Sequence, residues 1–368
     1  MKNNIKNIIV SVVLALFLFG SSVFAWVKAP DEYSESERRA LALFPELSVE
    51  TILSGKFMTS FEDYTLDQFP LRDLFRRIKA LTEFNIFNKN DNNDLYIADD
   101  YVSKLEYPMS EDMLTNSADK FSYLYETYMA DKDINVYFSV IPDKNYFLAE
   151  ENGYLSMDYD ALVSFMREKT SYMEYIDIFD LLSIDDYYRT DTHWKQESIV
   201  DVAQRLAEKM GVEISGEYEE NIVESPFYGV YYGQSALPLE PDTLKYLTNS
   251  TLRNCIVNSF NTGVAVEKDM YDMEAAVGRD PYEMFLCGSD PLVTIENPNA
   301  ETDKELVIFR DSFGSSLTPL LSEGYAKIYV VDIRYIRSAM LGNFIDFNNQ
   351  DVLFIYSTLL LNSSAAFK

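Results

Sequence analysis

A single histidine, His193, occurs among 368 residues, so any chemistry that needs an imidazole base near neutral pH falls to it. It stands in the stretch Tyr188-Arg189-Thr190-Asp191-Thr192-His193-Trp194. In an extended segment, residues two apart face the same side, which turns the Asp191 carboxylate toward the His193 ring. A carboxylate on one ring nitrogen fixes the tautomer and stabilises the imidazolium, leaving the other nitrogen to take a proton from a nucleophile. A plainer alternative stands beside this one. A histidine next to a tryptophan serves as a packing residue, and its aspartate neighbour caps the helix that follows.

The candidate nucleophile lies in Phe309-Arg310-Asp311-Ser312-Phe313-Gly314-Ser315-Ser316, where a buried-strand pattern gives way to a helical one. A serine at that junction presents its hydroxyl at the carboxyl edge of a sheet, with the amides of the helix start behind it to receive an oxyanion. The alternative is that Asp311 or Ser312 is only the helix N-cap. Taken together, Ser312, His193 and Asp191 supply the nucleophile, base and orienter of an acyl transfer. Arg334, in Val331-Asp332-Ile333-Arg334-Tyr335, ends the next strand at the same edge. It is a candidate substrate or oxyanion contact, or else the salt-bridge partner of Asp332. No metal or other cofactor is called for: one His and two Cys do not make a zinc site, and no calcium-type acidic loop is present.

The elements that must position these residues read as α/β. A helix over Ser110–Lys132 feeds an apolar strand, Ile134–Ile141, and a helix over Tyr159–Ser171 precedes a short strand at Tyr175–Ile178. Another helix runs from Lys195 to Met210, and strands follow at Leu306–Phe309, Lys327–Val331 and Asp351–Tyr356, with a helix over Ser315–Ser322 between the first two. Residues 213–300, with Phe227-Tyr228-Gly229-Val230-Tyr231-Tyr232 and scattered prolines, predict a β-rich insertion or crossover that lines one wall of a cleft. Ahead of the main domain, apolar spacing from Val49 to Phe87 gives two helices broken at Pro70, and Leu95–Ala98 with Tyr101–Leu105 gives a hairpin.

Thirty-one basic residues against sixty acidic ones leave a net charge of -29, which excludes nucleic acid as a partner. The 27 Tyr and 24 Phe are rings of the kind that carbohydrate-handling loops use, although most of them belong in a core. Lys2 and Lys6 followed by the apolar run Ile8–Val27 predict export, with residues 1–27 either a cleaved signal peptide or a retained membrane anchor. Cys255 and Cys287 are the only cysteines, a pair that export makes eligible for a disulfide.

These motifs together resemble the DHHW protein family, which is similar to the AlgX and AlgJ O-acetyltransferases of exopolysaccharide modification. The resemblance rests on Glu37-Arg38-Arg39-Ala40-Leu41 with Phe44-Pro45, Asp67-Gln68-Phe69-Pro70-Leu71-Arg72, Ile141-Pro142-Asp143-Lys144, Asp191-Thr192-His193-Trp194 and Asp311-Ser312-Phe313. It implies an SGNH hydrolase-like three-layer α/β domain over residues 91–368, with a mainly parallel sheet and a β-rich insertion about 213–300, behind an N-terminal linker and helical segment over 28–90. It also implies that Ser312 is the nucleophile, His193 the base and Asp191 its orienter, and that the activity is transfer of acetyl groups to or from a cell-surface or secreted polysaccharide. Acetyl-CoA is not available outside the cell, so a membrane-bound O-acyltransferase is the implied acetyl supplier. Two positions depart from the pattern: Thr192 where His is usual, and Arg310 where Gly is usual before such a serine motif. The alternative from a different class is a non-catalytic glycan-binding or assembly subunit of an exopolysaccharide machine.

Overall fold

Apolar runs at the centre and shorter, more polar strands at the edges build one eight-stranded sheet from β1 (Asn135–Ile141), β2 (Glu174–Tyr175), β3 (Ile256–Ser259), β4 (Val266–Lys268), β5 (Leu292–Glu296), β6 (Glu305–Arg310), β7 (Lys327–Val331) and β8 (Asp351–Ser357). The spatial order is β4-β3-β5-β7-β6-β8-β1-β2. From β7 to β2 the neighbours are parallel, while β5, β3 and β4 add an antiparallel edge. This is a computed structural model, and it describes residues 2–368. Two compact units are distinguished: one runs to Asn93 and includes Tyr232–Pro238, and the other comprises Asp94–Tyr231 and Leu239–Lys368.

The sheet belongs to the second unit, and its central strands β1, β6 and β8 are buried along nearly their whole length because both faces are covered. Along β6, Leu306 and Ile308 enter one hydrophobic layer and Val307 and Phe309 the other; along β8, Leu353 and Ile355 alternate with Val352, Phe354 and Tyr356 in the same way. The first layer contains Val202, Ala203 and Leu206 of helix Val200–Lys209 and Phe313 and Leu317 of helix Phe313–Leu317. The second contains Leu114, Ala118, Phe121 and Leu124 of helix Glu111–Tyr128, and Leu162 and Met166 of helix Tyr159–Lys169. The result is the three-layer α/β arrangement, with the apolar spacing of each helix turned to the sheet.

Residues 213–300 are less separate than their sequence predicts. Glu219–Phe227 pairs with Asp242–Thr248 in an antiparallel ribbon, but Val230–Ser235 is helical, and Ile256–Ser259, Val266–Lys268 and Leu292–Glu296 extend the main sheet. The burial of Leu292, Val293, Thr294 and Ile295 in succession marks β5 as a sheet strand with two covered faces. Helices are also shorter than the spacing suggested: the predicted Lys195–Met210 helix begins as a 3-10 turn over Gln196–Ser198, and Ser315–Ser322 lies across helix Phe313–Leu317 and a 3-10 segment, Thr318–Gly324. Cys255 and Cys287 are both free.

The first unit carries helix Lys2–Val27, then helices Val49–Leu53, Lys56–Asp67 and Arg72–Asn85, the last two broken around Pro70 as the sequence predicts. Its polar motifs act as clamps. The Asp67 carboxylate accepts both Arg39 guanidinium nitrogens, at 2.8 and 2.6 Å, and the Ala42 amide at 2.9 Å; the bond from Arg39 holds that carboxyl below its ordinary range. Gln68 accepts the Asp31 amide and donates to the Asp31 and Ala42 carbonyls. These residues tie the chain after the apolar helix onto helix Lys56–Asp67.

Candidate active site

In the register of the parallel strands, Arg310 lies opposite Ile355 and Ser357 opposite Ile141. The residues that follow β6, β8 and β1 therefore emerge at one carboxyl edge. Asp311 is buried there, and its carboxylate accepts the Phe313 amide at 3.0 Å, the Ser357 amide at 2.9 Å and the Ser357 hydroxyl at 2.6 Å. It thereby ties the turn after β6 to the end of β8. Ser312, half-buried, follows at helical backbone angles.

The Asp191 loop reaches this edge by a route that the sequence did not suggest. Residues 189–193 are not extended; they form a bend closed by a bridge between Tyr187 and Trp194 and by the Tyr188 amide donating to the His193 carbonyl. Within it, Asp191 Oδ1 accepts the His193 amide at 3.1 Å and lies 2.6 Å from His193 Nδ1. Asp191 Oδ2 accepts the Val230 amide at 2.8 Å. His193 Nε2 is 2.7 Å from Ser312 Oγ. The three residues singled out from the sequence thus form one hydrogen-bonded chain, whose link between His193 and Ser312 joins positions 119 apart in sequence.

Several residues hold that chain in place, and periodicity pointed to none of them. The Tyr282 ring lies flat on the imidazole, 3.7 Å away and 4° from parallel, and Phe313 packs at 4.9 Å. The buried Tyr282 hydroxyl is pushed well above its ordinary pKa by desolvation, so it stays protonated and sits 2.7 Å from Ser316 Oγ. Trp194 Nε1 donates to the Phe313 carbonyl at 3.1 Å and to Ser316 Oγ at 3.0 Å, fastening the loop to the helix that carries Ser312. Asp242 accepts the Arg189 and Thr190 amides and the Thr190 hydroxyl. Thr192 departs from the family pattern at little cost: its Oγ1 accepts the Tyr231 hydroxyl at 3.2 Å, away from the Asp191–His193 pair.

Gly229 is required by close approach. A Cβ there would stand 2.4 Å from the Asp191 Cα and Cβ and from the Thr190 carbonyl. We expect Gly229→Ala to displace the loop, lowering stability by about 1–3 kcal/mol and reducing any activity that uses His193. Urea unfolding and turnover measured on the same preparation check this, and an unchanged midpoint would contradict it. The turn after β6 uses a second glycine in place of the missing Gly at 310. A Cβ on Gly314 would stand 2.5 Å from that of Arg310, so Gly314 makes room for the buried Arg310.

Beneath the loop, Lys144 is buried and donates to the Tyr188 and Arg189 carbonyls at 3.0 and 3.2 Å. Its ammonium lies 5.0 Å from the centre of the Tyr231 ring. Desolvation pushes Lys144 down to about 7, opposed by the charges of Asp191, Asp242 and Asp143. Desolvation likewise pushes the buried Asp143 up to about 6. Between about 7 and the unfolded value of about 10.4 the unfolded chain binds more protons at Lys144, so this group's contribution to stability rises with pH across that window. Asp143 acts in the opposite sense below it, its contribution falling as pH rises from about 4 to about 6. Lys144→Met should therefore remove a positive slope of at most about 1.4 kcal/mol per pH unit above pH 7, read from urea unfolding of both proteins at pH 7 and 9. Parallel stability profiles would contradict this.

Two expectations about the site change. The amides at the start of the helix after Ser312 do not face outward as oxyanion donors: Phe313 N–H donates to Asp311 Oδ1, Gly314 N–H to the Asp311 carbonyl and Ser315 N–H to the Ser312 carbonyl. The segment is a single short turn of five residues whose own bonds consume them. Among the described residues, the Ser312 amide has no acceptor. Arg334 lies on Asp332, with Nε donating to Oδ1 at 2.9 Å and Nη2 to Oδ2 at 2.6 Å. Asp332 also pairs with Arg310 at 3.3 Å. Arg334 thus makes the salt bridge that was its alternative reading, and no bond among the described residues joins it to Ser312 or His193.

The resemblance read from the motifs holds in comparison with known proteins. The family model described as DHHW protein matches residues 166–331, a span that includes His193 and Ser312. Among solved structures, a DHHW family protein from Eubacterium siraeum superposes with a TM-score of 0.58 at 22% identity, covering 75% of this chain and 94% of that one. Bacillus cereus PatB1 with a sulfonyl adduct gives 0.59 at 19%, covering 74% and 97%. The O-acetyltransferase domain of Pseudomonas putida AlgJ gives 0.43 at 13%, covering 73% and 92%. No curated protein matches the chain in sequence. The fold is shared with the Eubacterium siraeum protein and PatB1, and it is of the three-layer α/β kind that the motifs implied.

Proposed function

From the match of residues 166–331 to the DHHW family, we propose that this chain is an extracytoplasmic serine-dependent O-acetyltransferase or acetylesterase acting on a cell-surface or secreted polysaccharide. One observation carries the reading: Ser312 Oγ, His193 Nε2, His193 Nδ1 and Asp191 Oδ1 are joined by contacts of 2.7 and 2.6 Å at an edge where Ser312 remains partly exposed. The acetyl chemistry and the polysaccharide come from the family resemblance.

In this mechanism Ser312 Oγ attacks the acetyl carbonyl of the donor while its proton passes to His193 Nε2. The Asp191 carboxylate on Nδ1 stabilises the imidazolium, and the flat Tyr282 ring keeps the imidazole in plane. The carbonyl oxygen gains negative charge, and the Ser312 amide is the donor available to it, a contact typically worth a few kcal/mol. Collapse breaks the bond to the leaving group, which takes the proton from Nε2 and leaves acetyl-Ser312. A sugar hydroxyl, or water, then gives its proton to Nε2 and attacks the ester, restoring Ser312 with its proton. The helix Ile5–Val27 is long and apolar enough to cross a membrane and supports action outside the cytoplasm, supplied with acetyl groups by a membrane-bound O-acyltransferase.

A sulfonyl fluoride tests the nucleophile directly, since the known PatB1 structure is described with a sulfonyl adduct. Phenylmethylsulfonyl fluoride should label the peptide containing Ser312, and His193→Ala should slow labelling by at least about 100-fold through loss of the base. Equal labelling of scattered serines, unaffected by His193→Ala, would overturn the proposal.

A further inference from the structure

Helix Arg72–Asn85 buries only Ala80 and turns an apolar stripe outward. Leu74, Phe75, Ile78 and Leu81 fall on one helical face, and with Leu71, Ile86 and Phe87 they are between 37% and 69% exposed. A soluble domain rarely leaves such a stripe uncovered. Arg77 and Lys79, both exposed, lie on opposite sides of the stripe, an arrangement in which long cationic side chains reach to the polar side of an interface.

Two further observations identify what covers the stripe. The same unit holds the apolar helix Ile5–Val27, and Phe17 of that helix meets Phe75 edge to face at 6.1 Å, so the stripe is continuous with a surface suited to lipid. Charge is also divided unevenly along the chain. Residues 1–93 carry eleven Lys and Arg against twelve Asp and Glu, whereas the remainder carries twenty against forty-eight. The near-neutral, apolar part is the part suited to approach an anionic bilayer, and the acidic part is repelled by it.

We propose that residues 71–87 lie in the membrane interface, with Leu74, Phe75, Ile78 and Leu81 entering the lipid beside helix Ile5–Val27 and Arg77 and Lys79 at the phospholipid headgroups. The proposal rests on the anchored form of the extracytoplasmic reading. It gives the unit two attachments to the bilayer, one through helix Ile5–Val27 and one through the stripe, at the surface from which acetyl groups would be supplied.

The test uses the full chain in vesicles of phosphatidylcholine and phosphatidylglycerol containing a phospholipid with a photoactivatable diazirine in its acyl chain. Peptide mapping should find acyl adducts in both 5–27 and 71–87. The triple variant Leu74→Glu/Ile78→Glu/Leu81→Glu, which alters exposed side chains only, should lose the adducts in 71–87 and keep those in 5–27. Adducts confined to 5–27 in the wild type, adducts in 71–87 that survive the triple variant, or protein-to-protein crosslinks through the stripe in place of lipid adducts would each overturn the proposal. Absence of adducts from both stretches would overturn it as well, by removing the anchored reading beneath it.

Discussion

Ser312→Ala and His193→Ala should each reduce hydrolysis of p-nitrophenyl acetate by about 10⁵–10⁶-fold, and the double variant should be scarcely worse than either. The reason is geometric. Nε2 lies 2.7 Å from Oγ, so the serine is a useful nucleophile only while the imidazole can take its proton, and the imidazole is a useful base only while the hydroxyl stands there. Removing one therefore removes most of the value of the other. Ser312→Ala deletes only a hydroxyl from a half-buried position, so its fold should be intact and its loss of turnover read as chemistry. Additive losses would mean that the two residues act separately. Wild-type turnover no faster than that of either variant would leave the alternative, a glycan-binding or assembly subunit, as the better account; in that case, oligosaccharide binding should survive both substitutions.

Asp191→Asn is the second large effect. Both oxygens of Asp191 accept: Oδ1 takes the His193 amide and faces Nδ1, and Oδ2 takes the Val230 amide. An asparagine has one oxygen for these two sites, so its amino group must face a donor. If it faces His193, the imidazole is forced into the wrong tautomer and turnover falls by about 10⁴-fold. If it faces Val230, a buried amide loses its acceptor, at a cost of about 1–3 kcal/mol. Turnover and urea unfolding measured together distinguish the two orientations. A variant with wild-type values in both would show that the carboxylate neither orients the base nor anchors the loop.

The candidate site was legible in the sequence because its residues are rare or sit at a pattern change. His193 is the sole imidazole, and Ser312 stands where an apolar strand turns into a helix. The reason for the Asp191–His193 pairing was not legible: alternation along an extended strand would bring the two together, but the segment is a bend, and the pairing comes from Asp191 accepting the His193 amide as well. Tyr282 could not be found at all, since nothing local marks a tyrosine 89 residues downstream as the one that stacks on the imidazole. Asp242 was equally hidden, and Lys144 stood in the Ile141-Pro142-Asp143-Lys144 motif with no role attached to it, because the work of both is to hold main-chain groups of the loop. The three-layer core was legible from helical spacing and apolar runs. The antiparallel edge was not, because β3 and β4 are short strands that resemble the hairpins of an insertion until their register with β5 is known.

The central claim is that Ser312 carries the acetyl group between donor and acceptor. The most direct measurement is to quench the protein with acid during turnover of p-nitrophenyl acetate and map its peptides by mass. An acetyl group on Ser312, absent from Ser312→Ala and accumulating more slowly in His193→Ala, is the predicted result. Turnover that depends on Ser312 with no acetyl on that residue at any quench time, or an acetyl group found on another side chain, would contradict the account.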